Sequence, residues 1–129
     1  MYRTALSLGA IFAGLGIVLG AFGAHALKEM LEPSQLQVFE TGVRYQMYHA
    51  FALLISGILY ASFPVRATKL AASFFITGIL LFSGSLYAMT LLKIQGEVGL
   101  GGVGIITPIG GLFFVAGWLS LLAGILKRK

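Results

Sequence analysis

TALSLGAIFAGLGIVLGAFGAHAL, residues 4–27, decides the fold: it is 24 residues long and carries no charged side chain. A hydrocarbon core ~30 Å thick is crossed by about 20 apolar residues in a helix, so this stretch reads as a membrane span. Within it Gly9, Ala13, Gly16, Gly20 and Gly23 recur at alternating steps of four and three. Lipid tails are as apolar as leucine, so helices in a bilayer associate through small residues that let backbones approach. The spacing is that of a heptad seam and favours left-handed packing. Leu8, Phe12, Leu15, Leu19 and Phe22 gather on one flank as a lipid-facing stripe, with Gly14, Val18, Ala21 and His25 opposite the seam. Because so much of its circumference is small, this helix is expected in the middle of a bundle.

Working outward, three more apolar segments follow. One covers 48–63 and extends back to 37, behind the helix-start signals Pro33 and Ser34; the others cover 70–92 and 105–126. The expected fold class is therefore all-α integral membrane, a four-transmembrane-helix bundle with glycine-rich seams, forming one domain over 1–129. In the fourth segment Gly110, Gly117 and Gly124 stand seven apart, joined by Ser120, and the third offers Ser73, Thr77, Gly84 and Ala88. The seams could meet within one chain or between copies. The first connection, 28–36, reads as polar with room for a helical turn. Pro64, Arg66 and Lys69 mark a tight second loop, and 93–104 is glycine-rich.

Composition agrees. The 129 residues are 58% hydrophobic and 10% charged, with mean hydropathy +0.96, against roughly 25% charged residues in soluble domains. There is no Cys, Asp or Asn, and the only carboxylate side chains are Glu29, Glu32, Glu40 and Glu97. Thiolate chemistry, disulfides and N-glycosylation are thereby excluded. The glycines of the third loop lack the strand and the Gly-Lys-Ser/Thr ending of a phosphate loop. The net charge of +5 would suit nucleic acid, but the basic residues sit at the ends of apolar runs, where a membrane accounts for them, so no nucleic-acid partner is expected.

With four spans, one side holds Arg3, Arg66, Lys69, Lys127, Arg128 and Lys129 and no Glu; the other holds Lys28, Arg44, Lys93 and all four Glu. The excess of Lys and Arg stays cytoplasmic, so both termini are expected inside the plasma (inner) membrane. Arg3, an apolar run and Ala24-His25-Ala26 imitate a secretory signal, but the run exceeds the 7–15 residues of such a core. A retained first helix is expected.

Polar side chains in hydrocarbon are costly unless paired, so their positions are informative. His25 ends the first span, Tyr45, Gln46 and His49 precede the apolar part of the second, Ser83, Ser85, Tyr87 and Thr90 lie in the outer half of the third, and Thr107 and Pro108 open the fourth. Together they predict a polar patch, of structural hydrogen bonds or a ligand site, at one depth near the non-cytoplasmic surface. Glu40 and Arg44, one turn apart, have ion-pair spacing, and Trp118 reads as packing.

The stretches Gly20-Ala-Phe-Gly-Ala-His-Ala-Leu27, Tyr45-Gln-Met-Tyr-His-Ala50, Phe82-Ser-Gly-Ser-Leu-Tyr87 and Ile106-Thr-Pro-Ile-Gly-Gly111, with Gly117-Trp118, resemble the YgdD/YwdK-like family of small inner-membrane proteins of unknown function. The resemblance covers essentially the whole chain. It implies a four-helix integral membrane protein and places His25, Gln46, His49, Ser83, Tyr87, Thr107 and Pro108 in the family signature. It supplies no activity, substrate or cofactor.

Three functions compete. The first is a non-catalytic bundle that supports membrane integrity by binding lipid, a membrane protein or further copies of itself. The second is a proton or small-solute transporter using His25 and His49, since imidazole titrates near neutrality. The third is a metal-dependent enzyme with both His and a Glu as ligands, although no close-spaced ligand motif is present. No catalytic set, cofactor or metal is expected.

Overall fold

Two breaks with proline behind or within them divide the chain's first two-thirds. Leu31 and Glu32 adopt extended backbone ahead of Pro33, which takes the first turn of the next helix; proline is preorganised there and disfavours helix in the residue before it. The second break, at 60–65, contains Pro64 and ends on extended Val65. In the computed structural model, which describes residues 1–96 and 102–127, the result is four long helical rods: α1 (Arg3–Met30), α2 (Pro33–Leu59), α3 (Arg66–Ile94) and α4 (Val103–Leu126). Gly96, just past α3, has φ +79°, the left-handed conformation that glycine closes helices with. Glu97, Gly99 and Gly101 of the glycine-rich loop, and Arg128 and Lys129 of the basic tail, lie outside the described residues.

Two rods change pitch. α1 passes through a π-helical turn at Gly23–Leu27 and α3 through another at Ile79–Ser83. Each holds one more residue than an α-turn, so the faces before and after it are re-phased. α1, α3 and α4 are long and apolar enough to cross a membrane. α2 is not among them, because between Gln37 and His49 it carries Gln37, Glu40, Arg44, Gln46 and His49.

Successive rods pack side by side, α1 on α2, α2 on α3 and α3 on α4. The α1 seam faces α2: Gly9 meets Ala50 and Leu54, Gly16 meets Met47, Gly20 meets Val43 and Gly23 meets Phe39. The α4 seam faces α3 in antiparallel heptad register, Gly110 against Phe82, Gly117 against Phe75 and Gly124 against Thr68. In return Phe114 of α4 fills the space left by Gly78 of α3. Phe75, Leu53, Ala71, Ala72, Ile79, Phe114 and Leu121 form the dry centre.

Three expectations are corrected. α1 is an edge helix, not a central one, because Ile11 and Val18 opposite its seam and Ile17 on its flank are all more than half exposed; only one of its faces is glycine-lined closely enough to dock. Its proposed lipid stripe is divided, with Phe12 packed against the core and Leu15 exposed. On α3 the small residues Ser73 and Gly84 are not the contact: Ser73 is exposed and no neighbour approaches Gly84. α3 supplies large side chains to the α4 glycines instead, since small against small would leave a void.

Candidate functional site

Glycines on α3 and α4 create the room in which a buried histidine sits. Gly78 admits the Phe114 ring and Gly117 admits the Phe75 ring, and these two rings, with Trp118, enclose His49. The imidazole lies flat on Phe114, centroids 3.6 Å apart and 8° between planes, with Phe75 at 5.6 Å and Trp118 edge-on at 5.9 Å. His49 Nε2 is 3.1 Å from Trp118 Nε1, and Nδ1 is 2.8 Å from the Tyr45 carbonyl. An indole N–H can only donate and a carbonyl can only accept. Nε2 therefore accepts, Nδ1 carries the proton and donates it to Tyr45, and the ring is held neutral with both nitrogens engaged. Trp118 is thus a hydrogen-bond donor as well as a packing residue.

A second group ties α1, α2 and α3. Gln46, 3% exposed, donates from Nε2 to the Phe12 carbonyl at 2.8 Å and accepts at Oε1 from the Tyr87 hydroxyl at 2.6 Å. The bare Gly16 lets α1 come close enough for this, its missing Cβ being 3.6 Å from Gln46 Nε2. One turn towards the start of α2, Ser83 donates to the Gly42 carbonyl at 2.6 Å, reaching it from the end of the π-turn. A third group joins α3 to α4: Ser85 donates to the Phe82 carbonyl at 2.8 Å and, its proton used, accepts from Thr107 at 2.5 Å.

The expected single patch is therefore three separate bonded groups. His25 belongs to none of them. It is exposed on the π-turn of α1, whereas the register of Gly16 with Met47 sets His49 level with residue 13 or so. The twelve intervening residues put the two histidines about 18 Å apart along the axis at ~1.5 Å per residue. The polar residues also do not share one depth: Gln46 lies at the midpoint of α2, while Thr107 lies near the start of α4 and Ser85 in the second half of α3. Tyr45 is 37% exposed, its ring against Phe82 at 4.8 Å; it joins the His49 group through its carbonyl and, at longer range, through its ring, 6.3 Å from the imidazole and 6.4 Å from Phe114.

Sequence reading missed Phe75 and Phe114 as walls of the His49 chamber and Trp118 as its donor. The available signal was chemical: a histidine inside an apolar helix needs a donor, and Trp118 carries the one indole in the chain. Thr68, beside Gly124, has the one buried hydroxyl without a hydrogen-bond partner among the described residues. Among those residues, too, no three of His, Asp or Glu gather as a metal-ligand set, and Glu40 and Arg44 are exposed with no ion pair closed between them.

Residues 19–111 match the family described as protein of unknown function (DUF423). The chain is 39% identical over 121 residues to the UPF0382 membrane protein YwdK of Bacillus subtilis, covering 93% of this chain and 94% of that one. It is 41% identical over 128 residues to a UPF0382 membrane protein of Haemophilus influenzae, covering 99% and 95%. A UPF0382 membrane protein of Staphylococcus saprophyticus is 41% identical over 120 residues, covering 93% and 94%. No solved structure matches the chain. All-helical, apolar and alike over nearly its full length to these proteins, the chain belongs to the DUF423 (UPF0382) family of membrane proteins of unknown function.

Proposed function

We propose that the chain crosses the plasma (inner) membrane four times with both termini in the cytoplasm, and that it works as a non-catalytic bundle binding lipid or protein partners in support of the membrane. Support for a fourth span in α2 comes from its packing: it runs alongside α1 and α3, and Gln46 and His49 find their partners inside the protein. A polar group left unpaired in hydrocarbon would cost several kcal/mol, roughly 2–7 by transfer measurements.

The single observation that carries the non-catalytic reading is the closure of His49. Both ring nitrogens are committed and three aromatic rings surround it, so it has no free lone pair to offer a substrate, metal or passing proton. The transporter reading needs His25 and His49 to act in relay, and about 18 Å of apolar helix separates them. The grooves on the surface are mostly apolar; one, of about 250 Å³ between α1 and α3, is lined by Phe12, Leu15, Leu19, Ile79 and Leu80 among others, a shape for an acyl chain.

The test is a flux assay. Protein in sealed liposomes carrying a pH gradient should dissipate it no faster than protein-free liposomes, and the His25→Ala, His49→Ala double variant should behave the same. A protein-dependent proton flux that disappears in the double variant would replace this reading with transport.

A further inference from the structure

We infer that a second copy of this chain docks on the outward face of α2 about a two-fold axis along the membrane normal, Glu40 of each copy opposing Arg44 of the other. The inference rests on the four-span reading above. Gln37, Glu40, Arg44, Tyr48 and Phe51 are all exposed and follow one another at steps of three and four, so they form a single stripe. Beside the stripe runs a groove of about 220 Å³ lined by Gly20, Gly23, Phe39, Glu40, Val43 and Arg44.

The register places these two charges inside the apolar layer. Gly23 lies against Phe39 and Gly20 against Val43, and α1 carries no charge between Arg3 and Lys28. Between Lys69 and Lys93, α3 has none either, and α4 has none before Lys127. Among the described residues the nearest charges on the other rods, Lys28 and Lys93, stand at the ends of their apolar runs, and the Glu40–Arg44 pair is not closed internally. One acid and one base a turn apart on the same face can complement themselves: about an axis along the normal each residue keeps its own depth, so Glu40 of one copy reaches Arg44 of the other diagonally, across the ~6 Å that separates them along the helix. In a medium of low dielectric such charge-assisted contacts are strong, and the groove beside the stripe leaves space for the neighbour's side chains.

The experiment is a charge-swap matrix, reading the dimer fraction of differently tagged copies co-expressed in one cell and purified together. The wild-type chain should capture its twin. Glu40→Arg alone makes the patch all positive and Arg44→Glu alone makes it all negative, and each should reduce self-capture at least tenfold. Glu40→Arg co-expressed with Arg44→Glu should capture one another, which also shows that both variants fold. The doubly swapped chain should regain self-capture. A wild-type chain that stays monomeric, single swaps that still self-associate, or opposite variants that fail to pair would each overturn the inference. So would a monomer that retains a phospholipid lost on Arg44→Glu, since the face would then hold a headgroup. If cysteine labelling places α2 outside the bilayer, the four-span reading falls; a monomer with four labelled spans removes this inference alone.

Discussion

His49 shows how a titratable side chain is made inert by geometry. Its acceptor nitrogen depends on one group, the Trp118 indole N–H at 3.1 Å. Trp118→Phe keeps an aromatic wall and leaves a buried acceptor unanswered, a change expected to cost about 1–3 kcal/mol. Thermal unfolding in detergent should show a clear loss. Changing both partners, His49→Phe with Trp118→Phe, should cost less than the sum of the single changes, because removing an acceptor together with its donor leaves nothing unsatisfied. Equal additive losses would mean that the two residues act only by filling space. At the same scale, Tyr87→Phe removes the bond to Gln46 Oε1. Side-chain hydrogen bonds between membrane helices average about 0.6 kcal/mol, so a smaller shift is expected there.

Between helices, the decisive feature is what a methyl group would strike. At Gly110 an added Cβ meets the backbone of Phe82, which cannot move without displacing α3. At Gly14 and Gly84 it meets nothing within 4 Å. Gly110→Ala should therefore destabilise by about 1–3 kcal/mol through overpacking, whereas Gly14→Ala and Gly84→Ala should be neutral or slightly stabilising, alanine being the better helix former. Gly117→Ala should fall between them, since its obstacle is the edge of the Phe75 ring. Unfolding midpoints for the four variants test the ranking; a Gly110→Ala protein as stable as the Gly84→Ala protein would show that the α3–α4 register is different. Gly117→Ala also pushes on a wall of the His49 chamber, so a change in Trp118 fluorescence should accompany it.

For the molecule as a whole, the arrangement across the membrane is the quantity to measure. The chain has no cysteine, so a single introduced thiol reports its own location. Ser62→Cys between α2 and α3 should be labelled only after the inner side is opened to a membrane-impermeant reagent, and Ser34→Cys at the start of α2 should be labelled from outside intact cells. Labelling of both positions from the same side would remove α2 from the bilayer.

The chain's own order of residues was enough to establish four helical rods, apolar lengths that suit a membrane for three of them, and two glycine seams. Those properties follow from local composition and from a helical period that any residue's neighbours determine. The candidate polar residues could also be named, because an amide or imidazole among leucines must find a partner. What the period cannot specify is which face meets which partner. That small-against-large packing joins α4 to α3, that α1 lies at an edge, and that Gly78 and Gly117 admit the two phenylalanines enclosing His49 depend on contacts between residues far apart in the chain. Only the tertiary structure decides them, since packing to crystal-like density selects among face pairings that local pattern leaves equivalent.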